Sequence, residues 1–278
     1  MRCAQFLLQF ERRVQCFTGC DARDERLARI ANPRAPDADV PTLRVTVDAF
    51  PDVSPNLVQV FTVTEGLAPE EIEAVRQQFH LDPDRFLVTQ VSRFDRFKDP
   101  VGVIRACDLV RRHVPGLQLV LAGGTATDDP EGAEVLREVQ EAAGDDPDTR
   151  ILLLPADANL TINALQRASD LVLQKSTREG FGLTVTEGLW KGKPVIGGNV
   201  GGIRLQVHDH HTGFLVDTPE GAAVRMRYLL AHDRVRVRMG ERARELVREN
   251  FLLTRHVSEY LALFHTLLEG RSERVEVA

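Results

Sequence analysis

Two glutamates, Glu179 and Glu187, stand eight residues apart around a glycine-containing turn, Glu179-Gly180-Phe181-Gly182-Leu183-Thr184. Before them runs Asp170-Leu171-Val172-Leu173-Gln174, a short apolar run of the kind that forms a buried strand. After them, Gly192 and Pro194 mark the stop of a helix. Strand, turn and helix start are therefore expected here. Gly180 and Gly182 carry no Cβ, so the backbone can come close to a bound group. The amides of Gly182, Leu183 and Thr184 would be first-turn donors in the positive potential of the helix dipole. A diphosphate fits such a place. At helical rise or longer the two glutamates lie about 12 Å or more apart, the span from one sugar to the other across a diphosphate. This spacing suggests Glu179 as acceptor for hydroxyls of a transferred sugar and Glu187 as acceptor for ribose hydroxyls of a nucleotide. The alternative, on spacing alone, is that both are ordinary helix-start carboxylates favoured by the dipole.

A second constellation is Val91-Ser92-Arg93-Phe94-Asp95-Arg96-Phe97-Lys98. It follows an apolar run, Phe86 to Val91, and should leave a strand end into the same crevice. Arg93 offers a planar fork for phosphate oxygens, and Lys98 a compact point charge. Both would neutralise a leaving diphosphate as a glycosidic bond breaks. A solvated basic loop is the competing explanation, because surface arginines are common.

The run from Ser176 to Glu187, with Trp190-Lys191-Gly192-Lys193-Pro194-Val195-Ile196-Gly197, resembles the E-x7-E signature of retaining glycosyltransferases of the GT-B fold, glycosyltransferase family 4 or group 1. Within that family it looks like the trehalose-forming branch of glycosyltransferring synthases and phosphorylases. The resemblance runs from about Pro83 to the C-terminus. It implies transfer of glucose from a nucleoside diphosphate glucose to a sugar acceptor, glucose, without cofactor or metal. It places Arg93 and Lys98 on the diphosphate and counts them, with Glu179, as catalytic. It places Gly180, Phe181, Gly182, Leu183, Thr184 and Glu187 in substrate binding. A trehalose phosphorylase, in which phosphate replaces the nucleotide, is one alternative. A non-catalytic nucleotide-sugar-binding module and a nucleotide-sugar epimerase of similar fold are others. Gly201 and Gly202 resemble the family's glycine pair near the donor, although a tight strand-to-helix turn explains them equally well.

The elements that must position these groups form a regular pattern. Helices are expected over Pro69 to His80, Pro100 to Val114, from Pro130, over Leu160 to Ser169, Val224 to Ala231 and Arg236 to Glu249. Strands are expected over Phe86 to Val91, Leu117 to Ala122, Ile151 to Leu154, Leu171 to Gln174, Pro194 to Ile196 and Gly213 to Val216. Strands alternating with helices predict an α/β fold: a doubly wound, Rossmann-like parallel sheet, the C-terminal half of a GT-B fold, followed by C-terminal helices. Val257, Tyr260, Leu261, Phe264 and Leu268 form an apolar stripe, read as a helix packed on the sheet.

The chain of 278 residues is 43% hydrophobic and 27% charged, ordinary for a globular protein. A net charge of −6 argues against general affinity for nucleic acid or acidic membranes. Only Lys98, Lys175, Lys191 and Lys193 are lysine in an arginine-rich chain, and all fall in the half proposed to bind nucleotide. Cys3, Cys16, Cys20 and Cys107 lack zinc-ligand spacing, and few cysteines suggest a cytoplasmic setting. His208-Asp209-His210-His211 looks like a metal cluster, but a surface turn is the favoured reading.

Residues 1–60 read as an irregular segment, with a short helix over Asp24 to Ala31, a strand over Thr42 to Val47 and five prolines. Residues 61–278 read as the nucleotide-sugar-binding domain. The GT-B family places an acceptor-binding domain first. About 60 unpatterned residues are too few for one, since domains of that kind take about 100 or more. The expectation is a donor-binding half that works with a homodimeric copy or a separate N-terminal domain, and that turns over poorly alone.

Overall fold

The computed structural model describes residues 66–124, 130–252, 255, 257, 260 and 261. The expected helix at 24–31 and strand at 42–47 lie outside them, as do Phe264 and Leu268 of the C-terminal stripe. The described residues belong to one compact unit, Phe50–Ala278.

The chain opens with α1 (Pro69–Gln78) and alternates through β1 (Leu87–Val91), α2 (Pro100–Arg111), β2 (Gln118–Gly123), α3 (Pro130–Ala143), β3 (Thr149–Leu153), α4 (Asn159–Ala168), β4 (Leu171–Gln174), α5 (Leu183–Trp190), β5 (Val195–Gly198), α6 (Ile203–Gln206), β6 (Gly213–Val216), α7 (Pro219–Ala231) and α8 (Asp233–Asn250). All six strands are parallel, in the order β3-β2-β1-β4-β5-β6. This is the doubly wound order, and the expected fold class stands.

Alternation along each strand explains why both faces are covered. Val88, Leu119, Leu121, Leu171 and Leu173 point to one face, where Val103, Cys107 and Val110 of α2, Val135 and Val139 of α3, and Met226 of α7 cover them. Leu87, Val120 and Ala122 point to the other, under Leu165 and Ala168 of α4 and Ile72 and Val75 of α1. Val172 and Val195 share that alternation and pack against Val185 and Leu189 of α5 and Ala243 and Val247 of α8. With both faces buried, the strands read as apolar runs, as parallel strands do.

Three expectations are corrected. α7 begins at Pro219, five residues before Val224, because Thr218 caps the Gly221 amide at 3.0 Å and Pro219 suits the first turn. α8 begins at Asp233 instead of Arg236, and β3 runs Thr149–Leu153 instead of Ile151–Leu154. Of the C-terminal stripe, Val257, Tyr260 and Leu261 are 39 to 48% exposed, about half buried.

The order of the strands matters most at one place. β1 and β4 are neighbours, with Val88 beside Leu171 and Thr89 beside Val172, yet β2 and β3 lie between them in sequence. The connections from β1 and β4 therefore leave in opposite directions and open a crevice above the strand ends, where doubly wound sheets bind ligands.

Candidate functional site

The two constellations meet at that crevice. Ser92 to Asp99 leaves the end of β1, and Lys175 to Gly182 leaves the end of β4. The Lys98 Nζ lies 2.5 Å from the Glu179 Oε2, although 81 residues separate them. Their side chains are only 18% and 11% exposed, so the pair is shielded and its attraction strong. A cleft of about 480 Å³ opens over them, lined by Arg93, Phe97, Arg178, Glu179, Gly180 and Gly201 among others.

Each loop is held from below. Phe94 is buried in the core and anchors the β1 loop. Asp95 accepts from the Lys98 amide at 3.1 Å and caps a 3-10 turn, Arg96–Lys98. The buried Gln90 of β1 donates to the Lys98 carbonyl at 2.8 Å. Asp99 then takes a left-handed conformation, φ 47°, which its short polar side chain tolerates, and accepts from the Gly102 amide to cap α2. The other carboxylate oxygen of Asp99 meets the Nζ of Lys175, which is 5% exposed. Each loop thus gives the other one cation and one anion: Lys98 to Glu179, and Lys175 to Asp99.

On the β4 side, Gln174 donates to the Ser176 hydroxyl at 3.2 Å. The glycines of the following turn allow the loops to stack. A Cβ on Gly198 would lie 2.0 Å from the Ser176 carbonyl oxygen, and one on Gly201 1.8 Å from that of Glu179. The Gly202 amide donates to the Gly180 carbonyl at 3.1 Å. Gly201 and Gly202 therefore serve backbone packing, and Gly201 lines the cleft as well.

Gly182 precedes α5 with φ 90°, a conformation that favours glycine. No side chain caps this helix, and its first backbone bonds run from Val185 and Thr186 to the Gly182 carbonyl. The amides of Gly182, Leu183 and Thr184 make no hydrogen bond among the described residues, as the turn suggested. The side chains of Phe181 and Leu183 are exposed, and Phe181 stacks at 6.0 Å on Phe251. Arg93 is 67% exposed, with only a 3.5 Å contact to Asp95, so its guanidinium is free to reach a ligand.

Glu187 sits one turn into α5 and does not line the cleft with Lys98 and Glu179. Gln166 of α4 donates to its Oε2 at 3.3 Å. Burial pushes its carboxyl above the usual range, with Lys191 and Gln166 opposing. Burial also drives the Lys191 ammonium down to about 7, against the attraction of Glu187. Lys193, buried beside Asp170, falls to about 8.

Of the four lysines, Lys98 lines the cleft, Lys175 binds its loops together, and Lys191 and Lys193 are partly buried at and after the C-terminal end of α5. Sequence reasoning missed Gln90, Gln166, Gln206 and Asp99. Gln206 joins the Thr186 hydroxyl at 2.6 Å and donates to the Phe181 carbonyl, tying α6 to the turn. The one available signal was Gln90, a long amide inside an apolar run buried on both faces. Among the described residues no three histidines, cysteines or carboxylates gather at metal distance. His210 instead stacks edge-on against Phe214 at 5.0 Å.

With this geometry in place, comparison with known proteins is informative. The trehalose synthase of Pyrococcus horikoshii is 46% identical over 203 residues, covering 72% of this chain and 49% of that protein. The trehalose phosphorylase of Pleurotus sajor-caju is 34% identical over 158 residues, covering 51% of this chain and 21% of that protein. Among solved structures, the sucrose-phosphate synthase of Thermosynechococcus elongatus superposes with a TM-score of 0.60 at 27% identity, over 71% of this chain and 49% of that one. The chain spans about half the length of the curated trehalose synthase it matches. Residues 71–246 match the sequence profile of "Glycosyl transferases group 1", and they hold both cleft loops, so the chain belongs to the glycosyl transferase group 1 family.

Proposed function

We propose that this chain binds the donor in a retaining glycosyltransferase of the trehalose synthase type, moving glucose from a nucleoside diphosphate glucose to glucose. The observation that carries the reading is the meeting of Lys98 and Glu179 at the strand-order switch, beside the unengaged amides that open α5. Arg93 and Lys98 take the diphosphate oxygens, and the backbone from Gly180 to Thr184 cradles them from the helix end. Glu179 accepts from hydroxyls of the transferred glucose, and Glu187 from those of the ribose. As the glycosidic bond to the diphosphate breaks, negative charge grows on the leaving oxygen. Lys98 and Arg93 stabilise it there more than in the ground state, which is what accelerates the step. The acceptor hydroxyl attacks from the face the diphosphate leaves and passes its proton to the departing diphosphate oxygen, so configuration is retained. Acceptor contacts come from a second domain or another copy of the chain. The nucleotide-binding half is residues 61–278.

A trehalose phosphorylase is the second reading, favoured by the 34% match. The same cations would hold inorganic phosphate, but Glu187 would then have no ribose to meet. Calorimetric titration with nucleoside diphosphates, nucleotide glucoses, and phosphate with trehalose separates the two. Micromolar nucleotide binding with phosphate inert supports the synthase reading; the reverse overturns it. Trehalose release from nucleotide glucose and glucose then separates a transferase from a non-catalytic binding module.

A further inference from the structure

Gln166 lies on α4, outside both cleft loops, and is fully buried. Its amide has a defined orientation for a chemical reason. The Lys191 Nζ lies 2.6 Å from one end of that amide. The other end faces two acceptors, the Glu187 carboxylate and the Thr184 carbonyl, so it is the amide nitrogen and the end at Lys191 is the carbonyl oxygen, which takes a proton from the lysine whether that is charged or neutral. The amide nitrogen then faces α5, 3.3 Å from the Glu187 Oε2 and 3.5 Å from the Thr184 carbonyl. Lys191 also reaches the Glu187 carbonyl at 3.5 Å, closing the circuit on α5. One lone pair of one Glu187 oxygen is used, and the other acceptor sites of the carboxylate remain. Those sites can take two hydroxyls only if the carboxylate is ionised and held at one angle.

We propose that Gln166, locked by Lys191, is the positioning residue that aims Glu187 and thereby sets the requirement for ribose hydroxyls on the nucleotide. This inference rests on the reading of Glu187 as the ribose acceptor. Without Lys191 the amide oxygen loses its donor, and the Gln166 side chain loses the contact that holds its far end in place. Without Gln166 the carboxylate keeps its place on α5 but loses the partner that fixes its plane. In both cases the cleft loops with Lys98 and Glu179 are untouched, so diphosphate binding persists while hydroxyl discrimination falls.

The test measures affinities of the full chain for uridine, adenosine and guanosine diphosphates and for their 2′,3′-dideoxy counterparts. For the best-bound base, the wild type should prefer the ribose form about tenfold or more, as expected for hydrogen bonds to a charged group. Gln166→Met and Lys191→Met should each bring that preference to within about threefold, with smaller changes in affinity for the dideoxy form. Glu187→Gln is the control for the underlying reading. Loss of preference in Glu187→Gln and in the two positioning variants supports the proposal. Loss in Glu187→Gln alone overturns the role of Gln166 and leaves the ribose reading standing. A preference unchanged in all three, or no binding of any nucleotide by the wild type, overturns both. The ratio is read on folded protein, so a drop in stability does not mimic the effect, and Lys191→Met serves where Gln166→Met fails to fold.

Discussion

Lys98 and Glu179 answer each other across the cleft, so a substitution at one is felt at the other. Lys98→Met should lower affinity for a nucleoside diphosphate about tenfold or more, since a charge-assisted bond is lost. It should also destabilise the fold by leaving a shielded carboxylate without its cation, and the added change Glu179→Gln should restore part of that stability. Arg93→Ala should weaken diphosphate binding comparably, with stability changed by less than about 0.5 kcal/mol, because the side chain is exposed. Calorimetry and urea denaturation of the same variants check both. The glycines separate as well. Gly182 has φ 90°, so Gly182→Val strains the backbone and lowers stability together with affinity. That makes it a poor probe of ligand approach. Gly180 has open space around its Cα, and Gly180→Ala should keep the melting temperature while lowering diphosphate affinity. Unchanged affinity there would show that the backbone does not approach the ligand at Gly180.

At the scale of elements, the connection after β1 and the connection after β4 are joined by Lys175 and Asp99. The pair is largely out of water, and removing one partner of such a pair is strongly unfavourable. Lys175→Met should cost on the order of 3 kcal/mol in urea denaturation, and Asp99→Asn combined with it should cost less than the two changes summed. Helix α5 with its following turn carries a second testable property. Lys191 and Lys193 hold pKa values of about 7 and about 8 against an ordinary 10.5. Between those values and 10.5 the unfolded chain binds protons that the folded chain does not, so stability rises with pH. Cys107, buried and pushed up to about 12, acts in the opposite sense above about pH 9, where the unfolded thiol ionises first. Two lysines outweigh one thiol until the lysines of the unfolded chain lose their protons near 10.5, so stability should climb from about pH 7, less steeply above about pH 9, and level near pH 10.5. Melting curves of wild type and Lys191→Met across that range check the assignment, since the variant should show a shallower climb.

For the molecule as a whole, binding at the strand-order switch should be felt throughout the sheet, because β1 and β4 are its two central strands. A ligand at about 100 times its Kd adds about 2.7 kcal/mol to stability. For a chain of this size that is a rise in Tm of roughly 5 °C or more. Scanning calorimetry with a nucleoside diphosphate should show it, and Lys98→Met should remove most of it. A shift retained in that variant would place the ligand elsewhere on the molecule.

Much of this was legible in the residues themselves. The strands from Leu87 to Val216 announce themselves as short, mostly apolar runs, because a parallel strand buried on both faces favours apolar side chains. The turn at Gly180 and Gly182 and the fork of Arg93 and Lys98 were visible as residue types at loop positions. Helix starts were less legible, as at Pro219, where Gly221, Ala222 and Ala223 give little periodic signal and a threonine cap decides the boundary. What only the tertiary structure decided is which groups meet. Nothing in local sequence says that β4 pairs with β1 across 80 residues, so the contact of Lys98 with Glu179 and of Lys175 with Asp99 depends on strand order. Gln166 and Gln206 stayed hidden for the same reason. A glutamine looks alike in sequence whether it faces water or a carboxylate, and only packing shows which buried polar group must find a partner.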